Sequence, residues 1–223
     1  MAQSHQSGFF ISFEGSEGCG KSTQIGMLMR ALGEAGKNPL LVREPGGTPV
    51  GEVIRHLLQH APEGQEMVPE TELLLFAASR AQLVRQVILP ALEAGRVVVS
   101  DRFLDSTTVY QGVARKISAE SVELVNRFAA GPRMPDVTFL LDMDESVAFQ
   151  RLREGRPEAV HDRMEDQPPD FYRAVRDGYL QLAKTFPDRV RVLDASRSPE
   201  TIAREIRAQL ANCGHALLEG ISA

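Results

Sequence analysis

The segment Gly15-Ser16-Glu17-Gly18-Cys19-Gly20-Lys21-Ser22 matches G-x-x-x-x-G-K-[ST] in full, and it constrains the fold more tightly than any other part of the chain. It follows an apolar run, Phe9–Phe13, and opens a segment of helical period, Ser22–Ala35. Glycines allow such a loop to curl until successive backbone N–H groups face one anion. The helix start behind it adds unpaired amides and the positive end of a dipole. In this pattern Lys21 reaches the outer phosphates of a nucleotide and the Ser22 hydroxyl can ligate Mg²⁺. With glycine at about 7% of residues, a chance match arises in roughly one chain in a hundred of this length. The strand before and helix after make an accident rarer still.

The rest of the chain supplies a sheet for that loop. Gly8–Glu14, Pro39–Arg43, Arg96–Asp101, Val137–Asp142 and Val190–Asp194 are short and nearly all apolar, as strands covered on both faces must be. Segments of helical period lie between them, among them Ser22–Ala35, Glu70–Ala94, Ala119–Ala130, Ser146–Arg153 and Pro199–Leu210. The alternation predicts a doubly wound α/β fold of the P-loop NTPase kind, three layers around a parallel sheet. Gln59–Pro69, Leu104–Lys116 and Glu154–Pro168 read as irregular; the last is polar and arginine-rich and reads as a mobile flap, or lid. At 223 residues the chain suits one domain, 1–223, with a polar tail over 1–7 and an unassigned tail after 212.

Composition narrows the partners. The net charge of −5 lacks the basic footprint of a protein that binds long nucleic acid, yet leaves room for small anions in a local nest. Cys19 and Cys213 have neither metal-ligand spacing nor the density of a disulfide framework, so a reducing, cytoplasmic address is expected. Met1–Ser7 lacks the apolar stretch of a secretion signal, and no apolar run approaches the ~18 residues of a membrane span.

A magnesium ion at the loop needs a carboxylate from a neighbouring strand. Asp101 and Asp142 each end a strand, and a capping role competes for both; Arg102 after Asp101 makes Asp101 the better candidate. A P-loop also occurs in switch GTPases, but the Asn-Lys-x-Asp signature that reads guanine is absent. Arginines at loop positions instead favour a second anionic substrate, so a nucleotide kinase stands ahead of a nucleotide-binding switch.

Several blocks together carry a family resemblance. Phe13-Glu14-Gly15-Ser16-Glu17-Gly18, Arg43-Glu44-Pro45-Gly46-Gly47-Thr48, Leu75-Phe76-Ala77-Ala78-Ser79-Arg80, Asp101-Arg102-Phe103 and Ser106-Thr107-Thr108-Val109-Tyr110-Gln111-Gly112 resemble bacterial thymidylate kinase in order and spacing. With Leu141-Asp142 and Asp162-Arg163-Met164-Glu165 they span Phe9 to about Asp194. The resemblance implies a five-stranded sheet of order 2-3-1-4-5, ATP and Mg²⁺ as cosubstrate and cofactor, dTMP as acceptor, and a homodimer packed through helices. Kinases of other nucleoside monophosphates are the nearest alternative.

The family pattern implies roles residue by residue. Gly15, Ser16, Glu17, Gly18, Cys19, Gly20, Lys21, Ser22, Thr23 and Arg151 would contact ATP, and Ser22 with Asp101 would serve the metal. Phe76 would stack on thymine, although by spacing alone it reads as core. Arg80 would bond the base edge, with Pro45, Thr107 and Gln111 beside it, and Tyr110 would crowd a ribose 2′-hydroxyl. Arg102, with Arg55, would hold the acceptor phosphate. Glu17, an odd neighbour for polyphosphate, would meet a sugar hydroxyl or the metal's waters. Some family members have arginine where this chain has Gly18; lacking it, the chain resembles the type whose lid supplies the catalytic arginine. Arg153, Arg156 and Arg163 are the donors available, joining Lys21 and Arg102 around the transferred group.

Overall fold

The alternation along one strand sets up both the core and the site. In β1 (Phe9–Glu14) every residue is buried, and successive side chains point to opposite faces. Phe9, Ile11 and Phe13 share a core with α1 (Lys21–Glu34) and α9 (Pro199–Ala211). On the other face Phe10 meets Leu83, Ile88, Val98 and Phe103, while Ser12 and Glu14, also fully buried, turn that face polar toward the strand's C-terminal end. The structure, a computed structural model, describes residues 8–64, 66–155, 163 and 167–221.

β1 is the centre of a parallel sheet with β2 (Leu40–Arg43), β3 (Val97–Asp101), β4 (Val137–Asp142) and β5 (Val190–Asp194), in the order β2-β3-β1-β4-β5. This is the order implied by the resemblance. Chain order reverses direction at β1, where open α/β sheets bind ligands beyond their carboxyl ends. The register sets Phe13 beside Asp101 and Asp101 beside Arg43.

Beyond the expected helices the structure has α2 (Pro49–Gln59) and α8 (Pro169–Thr185). Thr48 caps α2, its hydroxyl accepting from the Gly51 N–H at 3.0 Å, and Pro49 fills the first helical position. One expectation is corrected: Leu104–Lys116 is mostly helical, with α5 (Leu104–Thr107) running into a π-helical stretch, Thr108–Ala114. Local propensity there is weak, but Val109 and Tyr110 are buried against Val175 and Tyr179 of α8, and that packing decides.

The helix predicted over Glu70–Ala94 is α3 (Pro69–Leu83), continued by a π turn and α4 (Leu89–Glu93). No unbroken apolar run of membrane-spanning length occurs in this helix, which Arg80 and Arg85 interrupt. By length and composition alone Pro69–Glu93 still qualifies as a candidate span, with a mean hydropathy of 1.2. α3 nevertheless packs on α2 and on α6 (Ala119–Ala130) and carries Arg80 in an ion pair inside the protein.

Candidate active site

The phosphate-loop sequence folds as a tight turn between β1 and α1, and a cleft of about 780 Å³ opens beside it. Gly20 caps α1 in the left-handed region (φ 96°). Lys21 is buried and crosses the loop, donating from Nζ to Gly15 O at 3.1 Å and Ser16 O at 2.8 Å. Of the residues expected at ATP, Glu17, Gly18, Gly20, Lys21, Ser22, Thr23 and Arg151 line the cleft. Gly15 and Ser16 meet Lys21 through their carbonyls, and Cys19 is buried in the core. All nine residues expected at the acceptor line the same cleft: Glu17, Pro45, Arg55, Phe76, Arg80, Arg102, Thr107, Tyr110 and Gln111. Phe76 is half-buried on the wall, not sealed in the core.

Arg102 ties the loop to the rest of the cleft. Its backbone is left-handed (φ 68°), uncommon for a residue with a Cβ and typical of positions held by function. The surroundings over-determine it. Its N–H donates to Phe13 O at 3.0 Å; Nη1 reaches Gly15 O, Ser106 Oγ and Tyr179 Oη at 2.9, 3.1 and 3.3 Å; Nη2 pairs with Glu17 at 2.7 Å. Tyr110 donates to both oxygens of Glu17, the nearer at 2.8 Å. Burial works to raise the Glu17 pKa, but Arg102, Lys21 and the Tyr110 hydroxyl outweigh it and the pKa is lowered. Glu17 is therefore an anion whose charge is balanced by Arg102 and Lys21.

Beneath Arg102, Glu14 accepts from the Phe103 N–H at 2.7 Å, from Ser106 at 2.6 Å and from Tyr179 at 2.8 Å. Burial, then repulsion from Asp105, push its pKa to about 7 against the pull of Arg102. Asp105 itself is held by Arg189 through two bonds of 2.5 and 2.8 Å.

Arg80 is almost wholly buried, at 1% exposure, and its fork is fully oriented. Nε donates to Glu44 at 2.8 Å, Nη1 to Asn126 and Nη2 to Thr107, both at 2.7 Å. Glu44 follows β2 and precedes a cis peptide to Pro45. Burial drives its pKa to about 7 in spite of Arg80, and its Oε1 has no partner among the described residues.

Comparison with known proteins adds the family of the chain. The family model described as thymidylate kinase matches residues 13–206. A thymidylate kinase of Kosmotoga olearia is 44% identical over 212 residues, 93% of this chain and 100% of that protein. One of Symbiobacterium thermophilum is 49% identical over 199 residues, 89% and 90% of the two chains. The crystal structure of thymidylate kinase from Ehrlichia chaffeensis superposes with a TM-score of 0.73 at 32% identity, covering 92% of this chain and 99% of that one. The chain belongs to the thymidylate kinase family.

Within this thymidylate kinase fold the two candidate metal acids separate. Asp142 is clamped by Arg176 through bonds of 2.8 and 3.1 Å and does not line the cleft. Asp101 lines it with Ser22, and among the described residues nothing pairs with its carboxylate. Ser22 and Asp101 are both oxygen donors, the kind magnesium prefers.

The lid arginines are less alike than their spacing suggests. Arg151 lies on α7 (Glu145–Gly155) at the cleft and donates to Ala195 O at 3.2 Å. Arg163 turns its guanidinium to Glu72 of α3 and to Leu58 O, the latter at 3.1 Å. Arg156, the side chain of Arg153 and most of the expected flap lie outside the described residues. Position 18 has a physical reason to be glycine: φ is 75°, and a Cβ there would stand 2.3 Å from Ala148 O of α7.

Sequence reasoning missed several residues. Glu44 sits in a block already singled out, and its place between Arg43 and Pro45 was the available signal. Tyr179 and Asn126 carried none, because they are 77 and 46 residues from the arginines they hold.

Proposed function

We propose that this chain, as one kinase domain, transfers the γ-phosphate of ATP to dTMP and releases dTDP and ADP. The observation that carries the proposal is Arg102. It bonds Gly15 and Glu17 of the phosphate loop from within the cleft that also holds Phe76, Arg80 and Gln111. On this reading a donor site and an acceptor site share one cation.

A phosphate oxygen of dTMP attacks the γ-phosphorus, a new O–P bond forms in line, and the bond to the bridging oxygen of ADP breaks. The attacking phosphate is largely ionised near neutral pH, so no general base is needed. Lys21 and Arg102 stabilise the charge that spreads over the transferring group, and a lid arginine completes the set. Ser22 and Asp101 would hold Mg²⁺, which would supply neutralisation of phosphate charge. Phe76 offers an aromatic face to the base, Arg80 an oriented fork to its edge, and Arg55 a second cation for the acceptor phosphate. Tyr110, fixed on Glu17, would crowd a ribose 2′-hydroxyl.

A homodimer is supported by exposed apolar side chains on the paired helices α3 and α6: Leu74 at 58%, Leu124 at 60% and Phe128 at 78%. Patches of that kind mark protein contacts. The free thiols of Cys19 and Cys213 fit a reducing, cytoplasmic address.

The deciding experiment is an acceptor panel of dTMP, dUMP, dGMP and thymidine with ATP and Mg²⁺, read as acceptor-dependent ADP release. Release is expected with dTMP above all. Preference for another monophosphate reassigns the acceptor; no acceptor-dependent release would leave a nucleotide-binding switch.

A further inference from the structure

Behind the acceptor wall lies a charged cluster centred on Glu72, a carboxylate to which the proposed reaction gives no role. Glu72 of α3 is buried to 1% exposure, and three side chains donate to it: Gln111 Nε2 at 2.8 Å, Arg115 Nε at 3.2 Å, and Arg163 Nη2. Burial alone would raise its pKa, but Gln111, Arg115 and Arg163 together lower it, so the group is a carboxylate. An ionised carboxylate only accepts hydrogen bonds. Gln111 must therefore turn its NH₂ end to Glu72, and the amide has one permitted orientation. Gln111 lines the cleft, and among the described residues nothing donates to its Oε1. The carbonyl end is what remains for a ligand.

Arg80 stands in the same wall and can only donate. The wall thus presents a donor and an acceptor together. A pyrimidine edge with a carbonyl and a ring N–H complements both. A cytosine edge, with an amino group and an unprotonated ring nitrogen, opposes both.

We propose that Glu72 is a positioning residue for base selection: by holding the NH₂ end of Gln111 it presents Oε1 to the acceptor, so that a ring N–H is accepted and a ring-nitrogen acceptor refused. The inference rests on the proposed acceptor chemistry and deepens it. Without the carboxylate the amide can turn over, and its NH₂ end then suits cytosine.

The test compares kcat/KM for dTMP, dUMP and dCMP in the full-length protein and in Glu72→Gln, Gln111→Leu and the double variant. In Glu72→Gln the dTMP:dCMP ratio is expected to shrink about tenfold or more, the scale of one mispaired polar group in a buried site, while the dTMP:dUMP ratio holds. Gln111→Leu should shrink the dTMP:dCMP ratio too, and adding Glu72→Gln to it should change the ratio no further. A wild-type ratio in Glu72→Gln overturns the proposal, whether both activities fall together or neither moves. So does a wild-type ratio in Gln111→Leu, which can be read even if Glu72→Gln does not fold. Failure of the wild-type protein to use dTMP would sink the acceptor assignment itself, and that appears before any variant is compared.

Discussion

Replacing Gly18 by alanine tests why the phosphate loop carries no second cation. Two separate costs follow from the structure. The left-handed backbone at φ 75° disfavours any residue with a Cβ by about 1–2 kcal/mol. The new Cβ would also stand 2.3 Å from Ala148 O and 3.1 Å from its carbon, so the first turn of α7 must move. Overpacking of that kind costs about 1–3 kcal/mol. The sum, about 2–5 kcal/mol, should lower Tm by roughly 5–15 °C in a chain of this size. Gly20→Ala is the internal control: its φ is 96°, but nothing lies within 4 Å of the added atom. It should lose only the backbone part. Melting followed by circular dichroism, with ATP titrated into each variant, measures both effects. Because α7 also carries Arg151, Gly18→Ala should weaken ATP more than its stability loss alone explains. Gly18→Arg should behave no better and should not rescue a lid-arginine variant. A Gly18→Arg protein that melts like the wild type and turns over without its lid arginines would refute the reasoning.

Lys21→Ala should abolish turnover while shifting Tm by only a few degrees, since Lys21 bonds its own loop and not a distant element; an active variant would sink the phosphate-loop assignment. Among Arg153→Ala, Arg156→Ala and Arg163→Ala, at least one should lose kcat by about 10³-fold or more with ATP affinity nearly kept; near wild-type kcat in all three reduces the lid to a cover. Glu44 has a folded pKa of about 7 against 4.5 unfolded, so its contribution to stability is complete below pH 4.5 and is lost as pH rises through about 7. Wild type should therefore decline relative to Glu44→Gln across that window, by about 1–3 kcal/mol, in urea melts taken at each pH. Parallel pH profiles would remove Glu44 from the account.

Much of this protein was legible before any coordinates. The glycine spacing from Gly15 to Ser22 is a local instruction, because a backbone that wraps an anion needs those residues in that order. The five apolar runs named the strands, since a strand covered on both faces can carry little else. The blocks around Phe76, Arg80, Arg102 and Tyr110 named the cleft's walls, although which of them were core and which were lining was open. Leu104–Lys116 reads as irregular because its β-branched residues argue locally against the helix that packing on α8 imposes.

Tertiary structure decided whatever depended on distance or direction. Asp101 and Asp142 both end strands and look alike as sequence; only the fold places Arg176 on one and leaves the other facing the cleft. Tyr179, Asn126 and Glu72 carry no motif, because their work is done on partners 39 to 77 residues away along the chain. Ion pairing, burial and hydrogen-bond direction are properties of neighbours in space, and parallel strands joined by helices bring together neighbours that lie far apart in sequence. Local spacing determined which chemistry the loop can do, and the packing around it determined which charges are free to do it.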